Sequence, residues 1–136
     1  MSPALALQAA IRARLVTSSD VLALVPADHI VGAVGKPTLF PCVMLGQDQE
    51  VDEAITLERR HVRVHATLHT WDRTGGLSHA KALAGAIRDR MRGFDPVLDG
   101  MRCVDIRFAG SRVMSDPDGS TTHGVVENEA LVELPS

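Results

Sequence analysis

Residues 59–92 read RRHVRVHATLHTWDRTGGLSHAKALAGAIRDRMR, and two periodicities meet inside this stretch. From Arg59 to Trp71 the chain alternates: Val62, Val64, Ala66 and Leu68 point one way, and Arg59, His61, Arg63, His65, His69 and Trp71 the other. Successive side chains of a strand leave on opposite sides, so this alternation predicts a strand with one buried face. Asp72-Arg73-Thr74-Gly75-Gly76 then breaks the pattern, and Ala80, Leu83, Ala84, Ile87 and Met91 resume it as one stripe of a helix. A strand, a Gly-Gly turn and a helix in this order suit an active-site frame and the scaffold of an assembly subunit equally well.

Working outward, the same rules assign the flanks. Ser2-Pro3 starts a helix whose stripe is Ala4, Leu7, Ile11 and Leu15, with Arg12 and Arg14 at its negative end. Ser18-Ser19-Asp20 caps a second, short helix that Pro26 ends. A short strand is expected at His29–Val31, a loop from Gly32 to Pro41, and a buried strand at Cys42–Leu45. Gln47–Glu58 carries Asp48, Glu50, Asp52, Glu53 and Glu58 with no balancing cation; its ends extend the neighbouring strands, and its middle reads as an acidic loop facing solvent or a partner.

Beyond the second long helix, Val104, Ile106 and Phe108 alternate with Cys103, Asp105 and Arg107. Asp116-Pro117-Asp118-Gly119 is a turn, so segments 101–115 and 121–134 form a long antiparallel hairpin. The order of elements gives an α+β fold in a single domain, 1–136: an antiparallel or mixed sheet with helices packed mainly on one face.

The composition narrows the function classes. A net charge of -3 lacks the basic excess of a dedicated nucleic-acid binder, and 3% aromatics with no Tyr disfavour base-stacking and sugar-binding surfaces. Cys42 and Cys103 lie among apolar neighbours and read as small buried hydrophobes in a reducing compartment. The apolar start, Met1–Leu7, has no basic leader and soon meets Arg12 and Arg14, so neither a signal peptide nor a membrane span is expected, and synthesis is placed in the cytoplasm.

No pattern of catalytic or ligating residues emerges. His61, His65 and His69 share a strand face, but four residues of strand span roughly 13 Å, too far for a common metal. A polar sheet face is the ordinary reading. Its rival is a small homomeric metal- or ligand-binding enzyme that uses these histidines. Gly75-Gly76 lacks the remaining parts of a phosphate loop, no Gly-x-Ser-x-Gly surrounds a serine, and Ser78 and His79 point about 100° apart on a helix. Glu127, Glu129 and Glu133 on the last strand are expected opposite Arg59, Arg63 and the histidines, where pairs of opposite charge help set register. Trp71 either covers the core edge or anchors a contact between subunits.

The whole chain resembles the small tail-completion proteins of long-tailed phages and gene transfer agents, most of all a gene transfer agent tail terminator. The resemblance is carried by Leu7–Leu15, by Phe40-Pro41-Cys42-Val43-Met44-Leu45-Gly46, and by Leu68–Gly76 with the helix containing Lys81, Ala82, Ile87 and Arg88. Phe108–Arg112, Asp116–Gly119 and the closing strand complete it. Cys42 stands where the family often has an aromatic residue, which affects packing and not the role.

The resemblance implies a structural protein without cofactor or catalytic residues. It implies a homo-oligomeric ring, usually of six subunits, that caps the head-proximal end of the tail tube and ends its growth. The other implied partners are the tail tube protein, a head-completion or stopper protein, and double-stranded DNA passing through the lumen without sequence-specific binding. The implied location is the head–tail joint of the particle. Another head–tail connector or minor tail component fits the same pattern. The residues expected at subunit or partner contacts are Asp48, Glu50, Asp52, Glu53, Arg59, Arg63, Trp71, Glu127 and Glu129.

Overall fold

The computed structural model describes residues 2–32 and 35–135. Helix α1 (Pro3–Leu15), a one-turn helix α2 (Ser19–Leu22) and strand β1 (Ile30–Gly32) come first, then the long strands β2 (Cys42–Glu53) and β3 (His61–Asp72). Helix α3 (Ser78–Met91) follows, with β4 (Val97–Leu98), β5 (Met101–Ser115) and β6 (Thr122–Glu133). The strands form one sheet in the order β1-β2-β3-β6-β5-β4. Only β1 with β2 is parallel, so the sheet is mixed. Ala33 and Val34 of the expected Gly32–Pro41 loop lie outside the described residues.

Strand β3 sits at the centre, paired to β2 on one side and to β6 on the other. Its burial alternates as expected: Val62, Val64, Ala66 and Leu68 are buried under the helices, and Arg63, His65, His69 and Trp71 are half-exposed on the outer face. Leu7, Ile11 and Leu15 of α1 and Leu83, Ile87 and Met91 of α3 meet these residues, and Val126, Ala130 and Val132 of β6 extend the same core.

The two long helices also end against each other. Arg14 Nε donates to the Arg90 carbonyl at 3.0 Å and Arg90 Nε to the Arg14 carbonyl at 2.9 Å, so each helix supplies a guanidinium to the open C-terminal carbonyls of the other. At its N-terminus α1 is capped by Ser2, whose Oγ accepts from the Leu5 N–H at 3.1 Å. Its first turn contains no acid, and Glu50 of β2 supplies one by accepting from the Ala4 N–H at 2.9 Å.

Three expectations need correction. Asp48–Glu53 is not a loop: these residues continue β2 in register with β3, from Asp48 opposite Ala66 to Glu53 opposite His61. A bulge between Met44 and Gln47, with Gly46 at φ 111°, lets the strand carry on past its apolar part. Arg59 is not on the strand face. It lies in the turn before β3, at φ 51°, with its N–H bonded to the Thr56 carbonyl.

The alternation of β5 is displaced by a bulge between Cys103 and Asp105, so Cys103, Ile106 and Phe108 pack on the core and Val104 is 40% exposed. Within β2 the acidic residues divide between the faces. Asp48, Glu50 and Asp52 share the helix side with Ala66, Val64 and Val62, and Glu53 lies on the outer side with His61.

Where β3 meets β6, Thr70 is opposite Gly124 and 1% exposed. A Cβ on Gly124 would collide with Thr70 Oγ1, so a side chain here would force the buried Thr70 to move. Gly124→Ala is therefore expected to lower the unfolding free energy by about 1–3 kcal/mol, as overpacking does. In urea unfolding, adding Thr70→Ala should recover part of that loss. Strictly additive single and double variants would show that the two positions do not press on each other.

Candidate functional site

The turn that joins β3 to α3 holds a buried carboxylate beside a histidine. Asp72 is 1% exposed; its Oδ1 accepts from the Thr74 N–H at 3.2 Å and the Thr74 hydroxyl at 2.8 Å. Its Oδ2 is 3.4 Å from His79 Nδ1. A carboxylate beside an imidazole is one half of a catalytic relay, but the other half is blocked: His79 Nε2–H donates to the Leu24 carbonyl at 2.9 Å. The nitrogen that would serve a nucleophile is used to tie α3 to the end of α2. The arrangement ties the strand end to the Gly-Gly turn and the helix start. Sequence reading missed it because Asp72 and His79 are joined only by the path of the turn.

The outer face of the sheet carries the other concentration of titratable groups. At its centre, Arg63 bridges two strands, with Nε 2.6 Å from Glu53 Oε1 and Nη1 3.1 Å from Glu129 Oε1. Glu129 also accepts from Arg107 at 2.7 Å, and Glu133 accepts from Arg102 at 3.3 Å and lies 3.1 Å from His61 Nε2. The expected pairing of the last strand with Arg63 and a histidine is thus observed, Arg59 excepted. This lattice runs across β2, β3, β6 and β5, and each arginine in it is already bound to a carboxylate. Glu127 stays exposed beside it.

At the far end of the same face Trp71 lies flat on His123, with ring centroids 3.8 Å apart and planes 5° from parallel. His69 stacks next at 5.0 Å. Gln47 Oε1 accepts from His69 Nε2–H at 3.0 Å, which leaves His69 Nδ1 to accept from His123 Nε2–H at 2.8 Å. Trp71 therefore packs on the outer face and does not cover the core. The histidines of β3 do not share a partner: His61 has Glu133, and His69 has Gln47 and His123. His65 borders a shallow polar hollow of about 530 Å³ with Gln47, Gln49, Thr67, Glu127 and Glu129. Among the described residues no three His, Cys, Asp or Glu side chains gather closely enough to hold a metal ion.

The two thiols are poorly placed for nucleophilic work. Burial pushes the Cys42 thiol up to about 11, and burial also raises Cys103. No helix among the described residues is long and apolar enough to cross a membrane.

His69 and His123 are both held below the ordinary 6.5, first by burial and then by nearby positive charge: Arg112 for His69, His69 and Arg112 for His123. The folded protein therefore binds fewer protons than the unfolded chain below that pH, and stability falls as the solution is acidified through it. Unfolding followed by urea from pH 7.5 downward should show a decline that begins near pH 6.5, above the carboxylate range. The double replacement His69→Gln with His123→Gln should flatten it. An unchanged slope in that variant would separate the stack from the acid sensitivity.

Comparison with known proteins agrees with this fold. A chain from the virion of a native gene transfer agent (GTA) particle superimposes with a TM-score of 0.81 at 23% identity, covering 98% of this chain and 99% of that one. At that identity the likeness establishes the fold. No curated protein sequence matches. The family model described as tail completion protein gp17 matches residues 9–133. With nearly the whole chain matched, this protein belongs to the tail completion protein gp17 family.

Proposed function

We propose that the protein is a ring-forming structural subunit that caps the head-proximal end of a phage-like tail tube. In this role it ends tube polymerisation and joins the tail to the head-completion or stopper protein, with DNA passing through its lumen. One observation carries the reading: a family match over residues 9–133, with the fold shared end to end with a chain of a gene transfer agent virion. A family of structural virion proteins also supports a non-enzymatic role.

The surface chemistry is compatible with a conduit. Free lysines and arginines along a channel would hold a passing duplex through its phosphates. On the outer sheet face Arg63, Arg102 and Arg107 are each neutralised by Glu53, Glu129 or Glu133. Arg112, on the same face opposite Val125, makes no ion pair among the described residues, so the neutralised stretch around Arg63, Arg107 and Arg102 is the part that suits a wall along which DNA slides. Six copies per ring and the contacts with the tube and stopper proteins belong to this proposal. So do contact roles for Asp48, Glu50, Asp52, Glu53, Arg59, Arg63, Trp71, Glu127 and Glu129.

Deleting the protein from a producing strain should yield tails of uncontrolled length and heads without tails. Electron microscopy of intact particles carrying the labelled chain should show one ring of density at the head–tail joint. Label along the whole tube, within the head, or at the distal tip would defeat the reading, and normal tails in the deletion strain would do the same.

A further inference from the structure

The sheet has two long open edges, and they differ in charge. On one side β1 covers β2 only as far as Leu45, so Gln47–Glu53 pairs with β3 alone. On the other side β4 covers β5 only at Met101 and Arg102, and Gly110–Ser115 pairs with β6 alone, with no further shift in register. Each uncovered run offers a row of unpaired backbone donors and acceptors, the usual template for pairing with another chain.

The β2 edge is acidic. Residues 37–58 contain Asp48, Glu50, Asp52, Glu53 and Glu58 and no lysine or arginine. Asp52 makes no ion pair among the described residues, and Glu58 touches only Arg60 while 70% exposed. Apolar side chains stand open beside these carboxylates: Val51 is 39% exposed, Ile55 55% and Leu57 102%.

The β5 edge is bordered by cations. Between α3 and β5 runs a groove of about 310 Å³ with Phe108 and Val113 on the strand side and Lys81, Arg88 and Arg112 around it. It continues past Ile106 to Arg92 in a second hollow of about 270 Å³. Lys81 and Arg112 form no ion pair among the described residues, and Arg88 and Arg92 reach only the exposed Asp89, at 3.6 and 3.8 Å. Asp52 and Lys81 lie on the same, helix-bearing side of the sheet, since Asp52 is opposite Val62 and α3 packs on that face.

We infer that copies of this chain associate head to tail, the acidic β2 edge of one docking along the Gly110–Ser115 edge of β5 in the next, with its helix-side carboxylates facing Lys81 and Arg88. Two different patches on opposite edges make a heterologous contact, which closes into a ring when the rotation per subunit allows. The sheet would then run on from subunit to subunit, and the exposed Val51, Ile55 and Leu57 would gain cover. This inference rests on the ring reading above and names the surfaces that build the ring.

Charge reversal tests it. Asp52→Lys with Glu58→Lys reverses the tip and avoids Glu50 and Glu53, which bond Ala4 and Arg63. Lys81→Glu with Arg88→Glu reverses the groove. Each pair of substitutions, checked for folding by circular dichroism, should weaken self-association by about ten-fold or more in sedimentation. Mixing the two variants should restore closed rings in the microscope, because each reversed tip then meets a groove of opposite charge. Rings that persist unchanged in both variants, or fail to return on mixing, would overturn these surfaces and leave the ring reading standing. A wild-type chain that stays monomeric, in solution and on isolated tail tubes, would overturn both.

Discussion

The alternation along β3 is the constraint on which the rest depends. Because it is hydrogen-bonded on both sides, its two faces cannot be chosen independently of its neighbours: a slip of one residue would turn Val62, Val64 and Leu68 outward and bury Arg63 and His65. The apolar face collects α1 and α3, and the polar face collects the carboxylates of β2 and β6 around Arg63. Burial of those valines and leucines supplies most of the stabilisation, at about 1.5–3 kcal/mol for each side chain fully buried. The ion pairs supply far less, but they penalise wrong registers, because a shift of β6 would separate Glu129 from Arg63.

A second level of order comes from groups that bond across chain breaks in the pattern. Asp72 accepts twice from Thr74, Arg14 and Arg90 each donate to the other's carbonyl, and Glu50 accepts from the N-terminus of α1. Each joins an element end to a different element, where backbone groups would otherwise be left without partners. That placement gives these polar and charged residues a structural use at the joints of the fold. His79 is the clearest case, since its Nε2–H is given to the Leu24 carbonyl and its Nδ1 only lies near Asp72, at 3.4 Å.

What could be read from the sequence follows the same division. Helices and strands with one apolar face were legible because their period is written in the residues themselves: Leu7, Ile11 and Leu15, or Val62, Val64 and Leu68. The acidic stretch was not legible as a strand. Asp48–Glu53 has no apolar alternation, and its extended form comes from pairing with β3, a tertiary cause. The Cys103–Asp105 bulge was hidden for a similar reason, since one extra residue reverses which side of β5 reaches the core and leaves no local mark. Arg59 shows how a turn can take a residue out of an alternating series: it continues the pattern in sequence, but the chain needs a left-handed residue there. The Arg63–Glu129 pair is legible from charge alone, since an acidic strand face and a basic one have reason to meet, although the strand order that brings them together is not.

An isolated sheet with two uncovered edges is exposed to indiscriminate pairing, and proteins that stay monomeric blunt such edges with like charges, bulges or prolines. Here no bulge interrupts Gln47–Glu53 or Gly110–Ser115: the one in β2 lies before Gln47, and the two in β5 lie earlier on its uncovered edge, before Gly110. The charges on the two edges are of opposite sign, so each edge repels its own kind and attracts the other. Edge-to-edge pairing of two like edges, the route to symmetric dimers or disordered aggregates, is disfavoured. The pairing that remains favourable is the one that repeats in a single direction. A polarity of this kind is what a subunit needs if it is to join a counted ring and not an open sheet.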